Sequence, residues 1–230
     1  MKLLAIDTST EACSAALVNG TRHHARFELA PQRHAECILA MIEAVLAEAG
    51  LALNALDGLA YGRGPGAFTG VRIAAGVIQG IGLATGLKVA AVSSLAALAQ
   101  GCMRRYGASA VLAVMDARIN EVYCGGYRAA PGAGLQACLP ERVCGPAEIE
   151  LPAGSHPGEW VGAGSGFDVY QDQLAVAPAT LHAIHSSLLP DARDVATLAV
   201  GTFERGEAVS ADQALPVYLR DQVARTMGNR

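Results

Sequence analysis

The sequence predicts an α/β protein of two lobes, and three observations carry the prediction. Short apolar runs alternate with longer stretches of helical periodicity. Gly, Pro and Asn-Gly signals mark the ends of those runs. An apolar run ending in an aspartate occurs twice, before Asp7 and again at Val111–Asp116, so each half opens in the same way.

Leu3–Ile6 is a short apolar run closed by Asp7-Thr8-Ser9-Thr10, a strand entering a polar turn. Cys13–Val18 is a second strand, Asn19-Gly20 is a strong hairpin signal, and Thr21–Leu29 is a third strand. Pro31 ends this meander. Helical periodicity runs from His34 to Ala49, with Ile38, Ile42, Val45 and Leu46 on one side and Gly50 as the C-cap. Asp57–Tyr61 is a fourth strand. Gly62-Arg63-Gly64-Pro65-Gly66 turns the chain into a second helix over Thr69–Thr85, with Thr69 as its N-cap. Lys88–Val92 is a fifth strand, and Ser93 or Ser94 caps a third helix reaching about Arg105. The order β-β-β-α-β-α-β-α matches one lobe of the actin, sugar-kinase and Hsp70-like architecture, a ribonuclease-H-like sheet flanked by helices.

Val111–Met115 opens the second lobe, Glu121–Tyr127 returns, and a Gly-, Ala- and Pro-rich loop spans Ala129–Gly134. Strand-like pieces recur near Arg142 and Trp160, and a helix runs over Asp191–Arg205. The division is placed at residues 1–106 and 107–230, with a degenerate second lobe whose last segment packs back on the first.

The 230 residues are 52% apolar, enough for a sizeable core without disulfides or metals. A formal charge of −4 argues against a broad basic surface for gripping phosphate backbones. Six cysteines lie outside any Cys-x-x-Cys pair and read as free thiols in a reducing compartment. The run before Asp7 is too short for a signal peptide, and charges or prolines interrupt the apolar stretches, so no membrane span is expected and the cytoplasm is the default.

Asp7, Thr8 and Ser9 are the candidate nucleotide-binding residues. In such a lobe this hairpin faces the cleft, where the carboxylate can hold Mg²⁺ and the hydroxyls can meet a phosphate. Taken alone, the same residues satisfy turn backbone groups. Gly62, Gly64, Pro65, Gly66 and Gly70 form either a constrained turn seating the second helix or an anion site at its N-terminus. The stretch is neither a P-loop nor a dinucleotide fingerprint. From Val71 to Leu83 only Arg72 and Gln79 are strongly polar, so this helix must be covered nearly all round. Each glycine in a helix costs roughly 0.5–1 kcal/mol against alanine. Gly70, Gly76, Gly80 and Gly82 therefore imply a close approach, either by a neighbouring helix of the same chain or by a second subunit. His23-His24 lies on a strand, which points the two rings to opposite faces, and His182-x-x-His185 has no carboxylate or cysteine cluster beside it, so no metal site is expected. Gly164-Ser165-Gly166 reads as a flexible turn, and no nucleophile elbow adjoins a strand.

Asp7-Thr8-Ser9, Arg33-His34-Ala35-Glu36, the stretch Tyr61–Ile73, Asp116-Ala117-Arg118 with Glu121-Val122-Tyr123, and Pro216–Arg220 together resemble the TsaB family, essentially end to end. The resemblance implies a non-catalytic partner in making N6-threonylcarbamoyladenosine in tRNA. It implies a TsaD-like catalytic subunit bound through the first two helices, with Arg33, His34, Ile38, Met41, Arg72, Ala75, Gly76 and Gln79 at the interface. It also implies a TsaE-like ATPase in the assembly, a homodimer in isolation, indirect contact with tRNA, and no cofactor of the chain's own beyond ATP or ADP at the partner interface. In the TsaD paralogue an Asn-His-x-x-x-His metal motif follows the matching strand. Here Ser94 and Leu98 stand at the two histidine positions, and leucine cannot ligate a metal. Two alternatives compete: a stand-alone ATPase or small-molecule kinase using the Asp7 cleft, and a glycoprotease-like metallopeptidase, which the missing histidines disfavour.

Overall fold

Two five-stranded sheets share one strand plan in this computed structural model, which describes residues 1–130, 134–176 and 178–220. The first lobe runs β1 (Lys2–Asp7), β2 (Ala12–Asn19), β3 (Arg22–Leu29), α1 (His34–Ala49), β4 (Gly58–Gly62), α2 (Phe68–Thr85), β5 (Val89–Val92) and α3 (Ser94–Tyr106). The second runs β6 (Ala110–Arg118), β7 (Glu121–Ala130), β8 (Gly134–Cys144), β9 (Val161–Ala163), α4 (Gly166–Val169), β10 (Ala183–His185) and α5 (Ala192–Glu204). The sheet orders are β3-β2-β1-β4-β5 and β8-β7-β6-β9-β10. In each, the first three strands are antiparallel and the last two join in parallel. The fold class is the two-lobed actin, sugar-kinase and Hsp70-like α/β architecture. The loop expected over Ala129–Gly134 lies partly outside the described residues; Ala129 and Ala130 close β7, and Gly134 opens β8.

The side-chain alternation of β1, β2 and β4 sorts residues onto two faces. Leu4, Ile6, Cys13, Ala15, Leu17, Leu59 and Tyr61 meet Ile38, Ile42 and Val45 of α1 and Ala74 and Ile78 of α2. Burying each of the larger side chains contributes roughly 1.5–3 kcal/mol. The opposite face, with Leu3, Ala5, Ala60 and Ala90, receives Val195, Ala196 and Ala199 of α5. Helix α3 lays Leu95, Leu98 and Cys102 on Val111, Ala113 and Met115 of β6. The middle layer is therefore exchanged: α5, from the second half of the chain, covers the first sheet, while most of α3 covers the second. Arg104 of α3 binds Asp194 of α5 through two hydrogen bonds of 2.8 Å, which ties the exchanged helices together.

The outer face of the second sheet has no long helix among the described residues. Ile149, Trp160, Phe167, Tyr170, Val176 and Leu181, carried by irregular chain and the one-turn α4, fill that layer instead. Trp160 is fully buried, and its indole N–H donates to Ser155 Oγ at 2.9 Å.

One expectation is corrected. Helix α2 begins at Phe68, with Ala67 in the N-cap position and no side-chain cap, so Thr69 lies inside the first turn. The β1–β2 loop fixes the entry in place of a hydroxyl cap: the Ala67 N–H donates to Ser9 O at 2.7 Å, and Thr8 Oγ1 donates to Gly70 O at 2.7 Å. Helix α2, Phe68–Thr85, has 18 residues with mean hydropathy 1.3, long and apolar enough to cross a membrane by length and composition alone, a test that a buried core helix also passes. One side of this helix lies on the first sheet, and its open side is notched by glycines.

Candidate functional site

β1, β4 and β5 are parallel neighbours whose carboxyl ends point to the crevice where such sheets bind ligands. Asp7, Thr8 and Ser9 stand there, all with no exposed surface. Asp7 Oδ1 accepts the Ser9 N–H at 2.9 Å and the Ser9 hydroxyl at 2.8 Å. Among the described residues Oδ2 has no hydrogen-bond partner, and neither does the buried Ser94 Oγ beside it at the start of α3. Burial raises the Asp7 pKa from 3.8 to about 6; the bonds from Ser9 oppose the rise, and the charge of Asp191 adds to it.

The Gly-rich turn closes over this loop, and its glycines have steric causes. A Cβ on Gly62 would lie 1.8 Å from Asp7 Oδ2, one on Gly66 2.2 Å from Ser9 O, and one on Gly70 1.9 Å from Thr8 O. Gly64 has φ +100° and precedes the cis Gly64–Pro65 bond. These contacts account for Gly62, Gly64, Gly66 and Gly70 as a packed turn and leave Asp7 enclosed.

The second aspartate is fully engaged. Asp116 Oδ1 accepts the Arg118 N–H at 2.7 Å and the Tyr170 hydroxyl at 2.9 Å, and Arg118 pairs with Oδ2 at 2.9 Å. Arg118, Ile119 and Asn120 all have positive φ. Arg220 donates to the carbonyls of Ala117 and Arg118 and to Glu121, pinning this turn. Val217 N–H meets Arg63 O at 2.8 Å, so the segment from Leu215 to Arg220 straps the two lobes together. Ser94 and Leu98 lie one turn apart on α3 with no exposed surface, and Leu98 packs in the core against the second sheet. His185 stacks on Tyr106 with ring centroids 3.4 Å apart.

The expected interface residues divide into two groups. Ile38, Met41, His34 and Ala75 are buried within the protomer, with His34 and Met41 each keeping 8% exposure. Ile38, Met41 and Ala75 belong to the core between the helices and the first sheet, and the His34 Nε2 lies 2.8 Å from Thr10 O. Gln79 is half-buried and donates to Ala214 O at 3.0 Å. Arg33 is exposed beside Glu28 and Glu36. Arg72 and Gly76 are exposed, and together with Phe68, Gly80 and Leu83 they form one stripe along α2. A Cβ at Gly76 or Gly80 would meet nothing within 4 Å, so none of the described residues makes the close approach that would explain these two glycines. Leu83 is 71% exposed, Phe68 58%, and Leu39 on α1 55%. A separate groove of about 360 Å³ lies between β3 and α1, lined by Phe27, Cys37 and Met41 among others, away from Asp7.

Tyr218 was missed. It packs against Phe68 with centroids 5.7 Å apart and its hydroxyl accepts from Arg72 Nε at 2.8 Å. The spacing of Phe68 and Arg72 on one helix face was a readable signal, whereas the partner from the distant strap was not.

A family model described as TsaD, tRNA N6-adenosine threonylcarbamoyltransferase, matches residues 18–226. The tRNA threonylcarbamoyladenosine biosynthesis protein TsaB of Escherichia coli (strain K12) is 41% identical over 97% of this chain and 96% of its own. The protein of the same name from Haemophilus influenzae is 37% identical over 97% and 95%. The solved structure of YeaZ from Pseudomonas aeruginosa superposes with a TM-score of 0.88 at 46% identity, covering 95% of this chain and 99% of that one. End-to-end similarity in both sequence and fold thus converges on one group: the chain belongs to the TsaB family, with a role in tRNA threonylcarbamoyladenosine biosynthesis.

Proposed function

We propose that this chain is a non-catalytic subunit that binds a TsaD-like catalytic subunit and activates or stabilises it. The observation that carries the proposal is the glycine-notched apolar stripe of α2, which the described residues leave uncovered. Phe68, Leu83 and Leu39 expose apolar surface on neighbouring helices, and such a patch marks a protein contact. Gly76 and Gly80 allow a second backbone to approach without a Cβ between them. The match to a TsaD family model supports a partner built on the same lobe, whose own first helices can pack across the stripe. The enclosure of Asp7, Thr8 and Ser9, and the engagement of Asp116 by Arg118 and Tyr170, favour a subunit role over a stand-alone kinase or ATPase. The serine and leucine at positions 94 and 98 do not fit a metal centre, so no metal-dependent step is assigned to the chain. In this reading a TsaE-like ATPase and tRNA are reached through the complex.

Mixing the purified chain with its TsaD-like partner and measuring mass by light scattering tests the proposal. A heterodimer that Gly76→Arg abolishes is the expected result. A Gly76→Arg protein that folds, by circular dichroism, and still binds would refute this surface. ATP turnover by the chain alone would refute the non-catalytic assignment.

A further inference from the structure

Arg72 is the one charged residue on α2, and its side chain is held in a fixed pose on an exposed surface. Its guanidinium carbon lies 3.7 Å from the centroid of the Phe68 ring, one helical turn back. Its Nε donates to the Tyr218 hydroxyl at 2.8 Å. Tyr218 is in turn held by the strap, since Val217 N–H is bound to Arg63 O, and Leu215 O accepts from the Tyr61 hydroxyl at 2.8 Å. Among the described residues the two terminal nitrogens of Arg72 have neither a hydrogen bond nor an ion pair, so the outer edge of the guanidinium is unused.

A guanidinium held over one ring and bonded through Nε presents its remaining N–H groups as a planar fork. That fork matches the two oxygens of a carboxylate. Stacking and the Nε bond have already restricted the side chain, so less rotamer freedom is lost on binding. The position is also informative. Arg72 lies one turn from Gly76 on the same stripe, with 58% exposed Phe68 and 45% exposed Tyr218 at its sides. An arginine and two aromatic rings beside a close-approach notch have the composition of an interface hot spot. No carboxylate occurs between Phe68 and Thr85, so a second copy of α2 crossing this stripe offers no acidic side chain of its own to the fork.

We infer that the Phe68–Arg72–Tyr218 cluster is a preformed receptor for an acidic side chain of the catalytic subunit and that it favours this partner over self-association through α2. The inference rests on the proposed docking of a TsaD-like subunit on α2. It adds the chemistry the partner must present and gives the C-terminal strap a part in recognition.

The test measures the affinity of full-length variants for the TsaD-like partner by titration calorimetry, with the homodimer followed in parallel by sedimentation. Gly76→Arg tests the docking face, and Arg72→Ala, Arg72→Lys and Tyr218→Phe test the fork. Arg72→Ala is expected to weaken the heterocomplex about thirtyfold, as loss of a desolvated charge pair does. Arg72→Lys is expected to lose at least about tenfold, because a point charge cannot reproduce the planar fork. Tyr218→Phe is expected to lose a few-fold, and the homodimer is expected to change less than about threefold in each case. Retained binding by Gly76→Arg would overturn the docking face and this inference with it. Loss of binding by Gly76→Arg with unaltered binding by Arg72→Ala and Arg72→Lys would leave the docking face standing and overturn the fork. Equal weakening of homodimer and heterocomplex by Arg72→Ala would overturn the selectivity.

Discussion

Replacing Asp7 with asparagine removes a charge from a position with no exposed surface. The wild-type carboxyl titrates at about 6 in the fold against 3.8 as the ordinary value, chiefly because burial disfavours the anion. The folded state therefore holds this proton more tightly than the unfolded state, and the sign follows. Stability from this group is fully present below 3.8, falls as pH rises, and is lost once pH passes about 6. Lifting an aspartate by that interval corresponds to about 3 kcal/mol. Asparagine is nearly the same shape, can accept both bonds from Ser9 through its oxygen, and places an amide near the unpartnered Ser94 hydroxyl. The assay is urea denaturation of wild type and Asp7→Asn from pH 4 to pH 7.5. Taking the difference between the two proteins removes titrations they share, such as the raised Asp194 and the lowered Glu48, Glu159 and Glu207. The variant is expected to gain about 2.4 kcal/mol relative to wild type across that range, almost all of it between pH 4 and pH 6.5. A difference that stays flat, or one that falls with pH, would refute the view that an enclosed, half-satisfied carboxylate limits stability at neutral pH.

Gly70→Ala puts a methyl group 1.9 Å from the Thr8 carbonyl oxygen, which only backbone movement can relieve; a loss of about 2 kcal/mol or more in chemical denaturation is expected. Gly76→Ala meets open space within a helix and is expected to stabilise the isolated chain by about 0.5–1 kcal/mol, read as a raised thermal midpoint. Arg104→Ala leaves Asp194, 1% exposed, without its bidentate partner; a cost of about 3 kcal/mol is expected, seen as a lower urea midpoint at pH 7. Trp160→Phe removes a buried ring and the bond to Ser155, and is expected to cost about 2 kcal/mol by the same measurement.

The first lobe was legible because its elements agree with their local signals. Ile38, Ile42, Val45 and Leu46 recur at helical spacing, and Gly50 stops α1 in a left-handed conformation with φ 64°. Helix α2 announced an open face through its apolarity on every side, and its glycines announced close approach. What periodicity could not reveal was which way each helix faces. Ile38 and Met41 look as suited to a partner as to a sheet until the register of β1 and β2 assigns them inward. The second lobe was harder for a different reason. Strands β9 and β10 have three residues each, too few for a pattern, and β8 exposes Gln136, Ala137, Pro140 and Arg142 without a regular alternation. The covering of its outer face by irregular chain has no period at all. At the candidate site, Asp7, Thr8 and Ser9 were found by their place after a strand, but their enclosure depends on the distant turn at Gly62–Gly70. The Arg72 receptor escaped notice because it joins residues 146 positions apart.

The exchange of α3 and α5 between the sheets has a mechanical consequence. Two-lobed kinases close on their ligands by swinging rigid halves about a hinge. Here each half has its inner face shielded by a helix belonging to the other, and the Arg104–Asp194 clasp joins those two helices. Swinging the halves apart would strip both sheets at once and bare two layers of apolar side chains to water. Such a swing would cost the burial of both apolar layers, so the exchanged helices oppose a hinge opening between the two sheets.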